Sequence, residues 1–417
     1  AVGVQALRAN TTASNNTAVG KDALLANTTG ANNVAIGSLT LDAATTAANN
    51  TAVGQGAMSG TTTGAGNTGV GLSALYSNTT AANNTAVGLS ALFANTTGTQ
   101  NTAVGALALD ACTTASYNTA VGYIAGSTQT TAAENTFIGA YAGALTTTGA
   151  NNTSVGSSAL YVNTTGANNT AVGREALVLN TTGTANTAVG SGALDANTTG
   201  SFSTAVGTSA LTAQTGAGAE NTAVGHSSQL ATTTGTGNSS FGEGSGKDIT
   251  TGSQNVMIGA DTGRAASPSG SITTESNRLC MGNNTITNAY IKVDWTVTSD
   301  KRDKTDIEPL TIGLNFVNKL EPVTYKWDMR SDYKDGKPDG THKKENLQGG
   351  LLAQDVEELE RAYGYKVEDE TSILTDKNAD GNYGLTYSKF IPVLINAVQE
   401  LSAQNADLIT RIEALEG

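Results

Sequence analysis

The sequence predicts a mainly β protein: a parallel stack of sixteen short coils, then a small α+β domain ending in a long helix. Three observations lead there. A glycine closes an Ala-Val-Gly-like triplet every 17 residues. Charge is nearly absent from the first part of the chain and crowded into the last. Residues 388–416 carry a heptad of apolar side chains.

The repeat comes first in the chain and decides the fold class. Its glycines stand at 3, 20, 37, 54, 71, 88, 105, 122, 139, 156, 173, 190 and 207, and the register resumes at 225, 242 and 259 after one insertion. The residue before the glycine is Val or Ile in every repeat but one, where it is Phe241. Asparagine stands four residues before the glycine, from Asn16 and Asn33 onward, with Ser203 as the single substitution. Three residues after the glycine the side chain is small, and one further on it is mostly Leu, as in Leu24, Leu75 and Leu160. Thr17-Ala18-Val19 alternates like a short strand, and Asn27-Thr28-Thr29-Gly30 has turn chemistry.

Seventeen residues are too few for a helix pair and suit one β-coil. Coils stacked at the inter-strand distance of about 4.8 Å would give a rod on the order of 75 Å over residues 1–264. Identical residues then stack in columns. The asparagines are expected to form hydrogen-bonded ladders, and the valines (Val19, Ile36, Val53, Val104) to lie in register and face inward. A coil of Ala, Val and Thr buries little by itself, so neighbouring coils and neighbouring chains must complete it. The repeat also explains the many Asn-x-Thr triplets without glycosylation, and its glycines match no phosphate-binding fingerprint.

Composition excludes several function classes. Charged residues make up 14% of the chain, well below the roughly 25% of a typical globular domain. Fifteen of them lie at or before Arg264 and 42 after it. An acidic chain without a basic cluster argues against nucleic acid. No run of 18 apolar residues exists for membrane insertion. Cys112 and Cys280, the only cysteines, read as small buried apolar residues rather than a staple or a zinc site. No cofactor and no metal are expected. The chain opens inside a repeat without a signal peptide, which reads as a piece of something longer.

Residues 265–298 are expected to form a β-rich connector. Pro268-Ser269-Gly270 breaks the register. The runs 278–282 and 286–297 look strand-like, and Trp295 reads as a packing residue where chains intertwine.

From Ser299 the composition becomes that of an ordinary α+β domain, 299–417. Residues 314–320 read as a helix, 323–327 as a strand, 332–346 as a charged loop and 349–356 as a strand running into a helix. The final helix spans 388–416, with Pro392 tolerated in its first turn. Its heptad is Ile391, Leu394, Val398, Leu401, Asn405, Leu408, Ile412 and Leu415. A polar residue at one seam position, Asn405, commonly sets register. So regular a seam is expected to pair with copies of itself.

Thr298-Ser299-Asp300-Lys301-Arg302-Asp303-Lys304 stands where the composition changes. It places a serine five residues before a lysine. A serine with a desolvated lysine as its base is a known nucleophile pair. Lysine titrates ordinarily near 10.4, so burial or a neighbouring cation must favour its neutral form. Lys301 and Arg302 supply positive charge; Asp300 and Asp303 oppose it. By itself such a run is usually a solvated loop.

Two resemblances extend this reading. Asn32-Asn33-Val34-Ala35-Ile36-Gly37 and its equivalents resemble the head repeats of trimeric autotransporter adhesins. That resemblance implies a parallel homotrimer of left-handed β-rolls. The C-terminal domain resembles the intramolecular chaperone of phage tail spikes and fibres, the endosialidase-type or S74 peptidase family. The matching residues are Ser299-Asp300-x-Arg302-x-Lys304-x-x-Ile307, Leu320-x-Pro322-Val323-x-Tyr325-x-Trp327, Gly350-Leu351-Leu352-Ala353-Gln354-Asp355-Val356 and Tyr387-Ser388-x-Phe390-Ile391-Pro392. This resemblance implies a domain that trimerises, guides folding of the fibre before it and cuts itself off once, as a serine-type peptidase. The scissile bond is then Thr298–Ser299, with Ser299 as nucleophile, Lys304 as base, and Asp300 and Arg302 as supporting motif residues.

The function so implied is a virion tail fibre, assembled in the host cytoplasm, that attaches to a host-surface receptor, a glycan or outer-membrane component. Other tail or baseplate proteins would join it on its N-terminal side. A bacterial trimeric adhesin is the second reading; it should end in a membrane-anchor barrel, whereas a heptad helix closes this sequence. A glycan-degrading tail spike is the third. It would need paired carboxylates in a cleft, and the repeat's few acids (Asp22, Asp42, Asp110, Glu134, Asp195) fall in different columns.

Overall fold

A computed structural model describes residues 1–417 except 266, 287, 293, 294, 379 and 380. The chain divides into two units: Ala1–Ser267 with Ile272–Asn283, and Pro268–Ser271 with Asn284–Gly417.

In the first unit, three-residue strands run from β1 (Thr17–Val19) to β15 (Val256–Ile258), one per coil. All pair in parallel with their sequence neighbours, Thr17 opposite Val34 and Ala18 opposite Ala35. Val2 makes a lone bridge to Val19 for the opening coil. A further strand, β16 (Leu279–Met281), joins β15 with Val256 opposite Leu279. The sequence places it in the connector; in the molecule it extends the sheet past residue 264, across a coil lengthened to 23 residues.

The valine column is in register but does not face inward, contrary to expectation. Each strand from β1 to β15 buries only its middle residue: Ala18, Ala35 and Ala103 are buried, while Val19 and Ile36 are 39% and 41% exposed. Alternation forces this outcome. The asparagine two positions before the alanine turns inward, so the threonine and valine between and after them turn outward. The asparagines turn in because they close the coil. Asn50 Nδ2 donates to the Gly64 carbonyl (3.0 Å) and to Asn33 Oδ1 (3.2 Å). The backbone N–H of Asn50 also donates to Asn33 Oδ1 (3.1 Å). A second ladder, through Asn163, Asn180 and Asn197, repeats the device seven residues after the glycine, with 2.8 and 2.9 Å steps. These bonds offset most of the penalty of burying the carboxamides, although Asn27 Oδ1 and Asn95 Oδ1 are buried without a partner.

The turn after each strand needs an unusual backbone. Gly20 has φ +134°, and a Cβ there would lie 2.3 Å from the Gly37 carbonyl oxygen. Two and four residues later, Asp22 and Leu24 take φ of 60° and 50°. Left-handed leucine costs about 1–2 kcal/mol. Full burial of Leu24 and a hydrogen bond from its N–H to the Thr40 carbonyl (3.0 Å) offset that cost.

Exceptions to the repeat come in pairs. Phe137 replaces the inner alanine, and the leucines around it become Gly126 and Gly143. A Cβ at these positions would lie 2.6 and 2.3 Å from the Phe137 ring. Where Ser203 interrupts the asparagine ladder, Gln214 reaches across, donating to Ser203 Oγ (3.0 Å) and accepting from Asn221 Nδ2 (3.0 Å). Cys112 is buried as expected, and burial pushes its thiol up to about 11; Cys280 is only half-buried.

The strand-like stretch 286–297 falls partly on 287, 293 and 294, outside the described residues. Its described residues form no strand. Tyr290 and Trp295 stand 94% and 68% exposed, so Trp295 packs no core within one chain.

The second unit contains α1 (Leu314–Val317), β17 (Val323–Tyr325), β18 (Gln348–Gly350), α2 (Ala353–Ala362), β19 (Thr375–Lys377), β20 (Tyr383–Leu385) and α3 (Phe390–Glu416). Antiparallel pairs β17–β18 and β19–β20 flank a core of Ile312, Phe316, Val356, Leu374, Phe390 and Val393. The segment Pro268–Ser271 belongs here through Asn378 Nδ2, which donates to the Ser269 carbonyl (2.9 Å).

The face of α3 that meets this core is Phe390, Val393 and Ala397. The heptad predicted from sequence lies elsewhere on the helix, and Ile391, Leu394, Val398, Leu401, Leu408, Ile412 and Leu415 are all exposed.

Candidate active site

Asp300 builds the site. Its carboxylate accepts the Arg302 backbone N–H (2.9 Å) and starts a 3-10 turn over Lys301–Asp303. That one turn folds a five-residue spacing back on itself. Lys304 Nζ consequently donates to Ser299 Oγ at 2.6 Å. The sequence-predicted nucleophile and base are thus in direct contact.

Arg302 completes the frame. Its Nη2 and Nε reach both Asp300 carboxylate oxygens, at 2.6 to 3.2 Å. The Arg302 side chain, then its backbone N–H, holds the Asp300 carboxyl below the usual carboxylate range. Asp300 and Arg302 therefore neutralise each other and shape the turn, leaving the contact to Ser299 and Lys304. Thr298, Ser299 and Lys304 are exposed in the single chain. A cleft of about 380 Å³ beside α2, lined by Lys319, Leu320, Leu352, Asp355 and Leu359 among others, contains none of these residues.

Residues 299–365 match the family model described as chaperone of endosialidase, the S74 peptidase family. The S74 match opens on Ser299 itself and ends just past α2, so β19, β20 and α3 lie outside it. No curated protein and no solved structure matches the chain. A β-solenoid followed by an S74 chaperone segment fits a tail fibre or tail spike with a C-terminal chaperone domain.

Three polar residues that hold the second unit together escape a sequence reading. Glu360 is fully buried on α2. It accepts the N–H groups of Ile373, Leu374 and Thr375 at 2.8 to 3.1 Å and the hydroxyls of Ser372 and Thr375. Glu400 accepts the Leu314 N–H (2.7 Å) and so caps α1 from α3. Asn396 donates to the Leu310 and Ile312 carbonyls (3.2 and 2.9 Å). An acidic residue at a core-facing helical position was the available signal for Glu360. The other two read as surface positions of an amphipathic helix.

Among the described residues no group of three or more His, Cys, Asp or Glu could hold a metal. No described helix is long and apolar enough to cross a membrane.

Proposed function

We propose that the chain is a trimeric phage tail fibre that attaches to a bacterial surface, folded by its C-terminal segment, which then severs the Thr298–Ser299 bond. The observation that carries this reading is the 2.6 Å contact from Lys304 Nζ to Ser299 Oγ, at the first residue of the S74 match. Ser299 Oγ attacks the Thr298 carbonyl carbon while Lys304 accepts its proton and delivers it to the departing Ser299 nitrogen. The resulting ester is hydrolysed by water. A lysine accepts a proton only in its neutral form, which desolvation favours. Assembly supplies that desolvation, because one chain leaves the pair in solvent. Cutting therefore follows correct trimerisation.

The outward valine column, the exposed apolar seam of α3 and the bare Trp295 support association with copies of the same chain. An exposed apolar column or helix seam of such length is uncommon on a monomer. Intact mass and light scattering test both halves of the proposal. Wild type should form trimers and yield a fragment beginning Ser-Asp-Lys-Arg. Ser299→Ala and Lys304→Ala should remain full-length and trimeric. Cleavage at this bond in Ser299→Ala, or a monomeric wild type at micromolar concentration, would refute the proposal.

A further inference from the structure

Apart from exceptions such as Phe137 and Ser203, the coils share their inner residues, so most of what distinguishes one coil from another lies outside. The valine column is apolar along the whole stack. The positions one, two and five residues after the glycine are not. On either side of the middle coils they hold charge, as in Lys21 with Asp22 near the start and Arg174 with Glu175 one coil past Tyr161. In the middle coils they hold rings. Tyr76 and Phe93 stack at 5.2 Å with planes 8° apart. Tyr123, Tyr141 and Tyr161, from three successive coils, form a row with centroids 5.4 and then 6.2 Å apart, edge to face. Tyr123 and Tyr141 are 47% and 37% exposed.

A contact between copies that runs along the stack needs apolar residues along the stack. The valine column meets that need and the tyrosine row does not. A local cluster of partly exposed rings offers a ligand an apolar surface on which to lie. Tyrosine offers both an apolar ring face and a hydroxyl that donates and accepts. Charge narrows the ligand further. No Lys, Arg or His lies between Lys21 and Arg174, whereas Asp22, Asp42, Asp110 and Glu134 do. A phosphate, sulfate or carboxylate ligand would meet the acids Asp110 and Glu134 in these coils, and the nearest cation, Arg174, stands one coil past Tyr161 and is already paired with Glu175 at 3.2 Å. A neutral pyranose fits: its C–H face lies on a ring, its hydroxyls meet phenol groups, and a linear glycan repeats its sugar on a scale similar to the ring spacing. We propose that Tyr123, Tyr141 and Tyr161 form a binding face for a neutral saccharide chain. This deepens the attachment reading by giving it a surface and a ligand class.

The test uses the full, assembled protein. The probes are linear neutral glucan, galactan and rhamnan oligosaccharides, with polysialic acid as the anionic control, read by saturation-transfer NMR and calorimetry. At least one neutral oligosaccharide should bind saturably, and polysialic acid should not. Tyr141→Ala should weaken binding about tenfold or more, with light scattering and circular dichroism unchanged, and Tyr141→Phe should retain most of it. Binding of none of the neutral probes, or equal binding by Tyr141→Ala, overturns the proposal. So does protection of all three tyrosines from nitration in the assembled, ligand-free protein, which would make the row a contact between copies. The attachment reading fails separately if wild type binds an oligosaccharide but no bacterial surface.

Discussion

Asn50 finds its partners at Asn33 and Gly64, 17 and 14 residues away; Asn396 finds its own at Leu310 and Ile312, 86 and 84 residues away. The coil stack is held by such near-neighbour bonds, repeated. The C-terminal unit is held by bonds that join its beginning to its end. A stack of this kind grows from any coil already formed, whereas the C-terminal unit orders only when most of it is present. The difference also bears on assembly. Nearly identical coils satisfy one another equally well at any multiple of the period, so the stack alone gives associating copies no common starting line. A non-repeating unit with an apolar helix seam can provide one, and this physical logic places a chaperone beside a repetitive fibre.

The contrast between inner and outer columns gives the largest expected effect. Ala103→Asp puts an unpaired charge into a closed coil and should cost several kcal/mol, visible as loss of the cooperative thermal transition. Val104→Asp, one residue on, should leave the coil's circular dichroism intact and instead reduce association by light scattering. Equal damage from both would mean that the valine column is not an outer face.

A size exchange inside the coil comes next. Phe137→Ala should cost about 3–5 kcal/mol by denaturant unfolding. Adding Gly126→Leu and Gly143→Leu restores the repeat's own pattern, and leucine already accepts the left-handed backbone at this column, as Leu24 shows. The triple variant should recover most of the loss. If it is worse than the single change, the glycines serve the backbone rather than the ring.

The smallest effect concerns Asp110. Burial raises its carboxyl above the ordinary range, so the ionised form is disfavoured in the folded coil. Asp110→Asn should therefore stabilise the stack slightly at neutral pH, read as a small rise in the thermal midpoint. The advantage should shrink as pH falls through the raised value toward the ordinary carboxylate range, where the native aspartate is neutral too. An advantage that grows on acidification would contradict this sign.

The period, the stacking and the ladders were legible because each rests on identical residues at identical spacing. The facing of the valines was not. Ala18 and Val19 are adjacent and both apolar, and hydrophobicity alone favours the larger one inside. The deciding residue is polar: Asn16 shares the alanine's parity, and its inward turn follows from the carbonyl it must reach, which no pattern of apolar residues reveals. The Ser299–Lys304 contact was legible because five residues and one capped turn suffice to make it. The β19–β20 hairpin was not, since Thr375-Asp376-Lys377 carries no strand pattern and is held by Glu360 beneath the loop before it.

The parallel register of the strands has a consequence for how such a molecule changes over generations. Thr204 pairs with Thr222 across an 18-residue coil as faithfully as Thr187 pairs with Thr204 across a 17-residue one. The lengthened coil that ends at β16 also keeps its strand in the sheet. An in-frame gain or loss of a whole regular repeat in the gene therefore lengthens or shortens the rod by one step and leaves the bonds among the other regular coils as they were. Shorter insertions bulge outward at the turns. Length and surface decoration can drift independently of each other and of the packed interior, which gives the lineage a ruler with interchangeable markings.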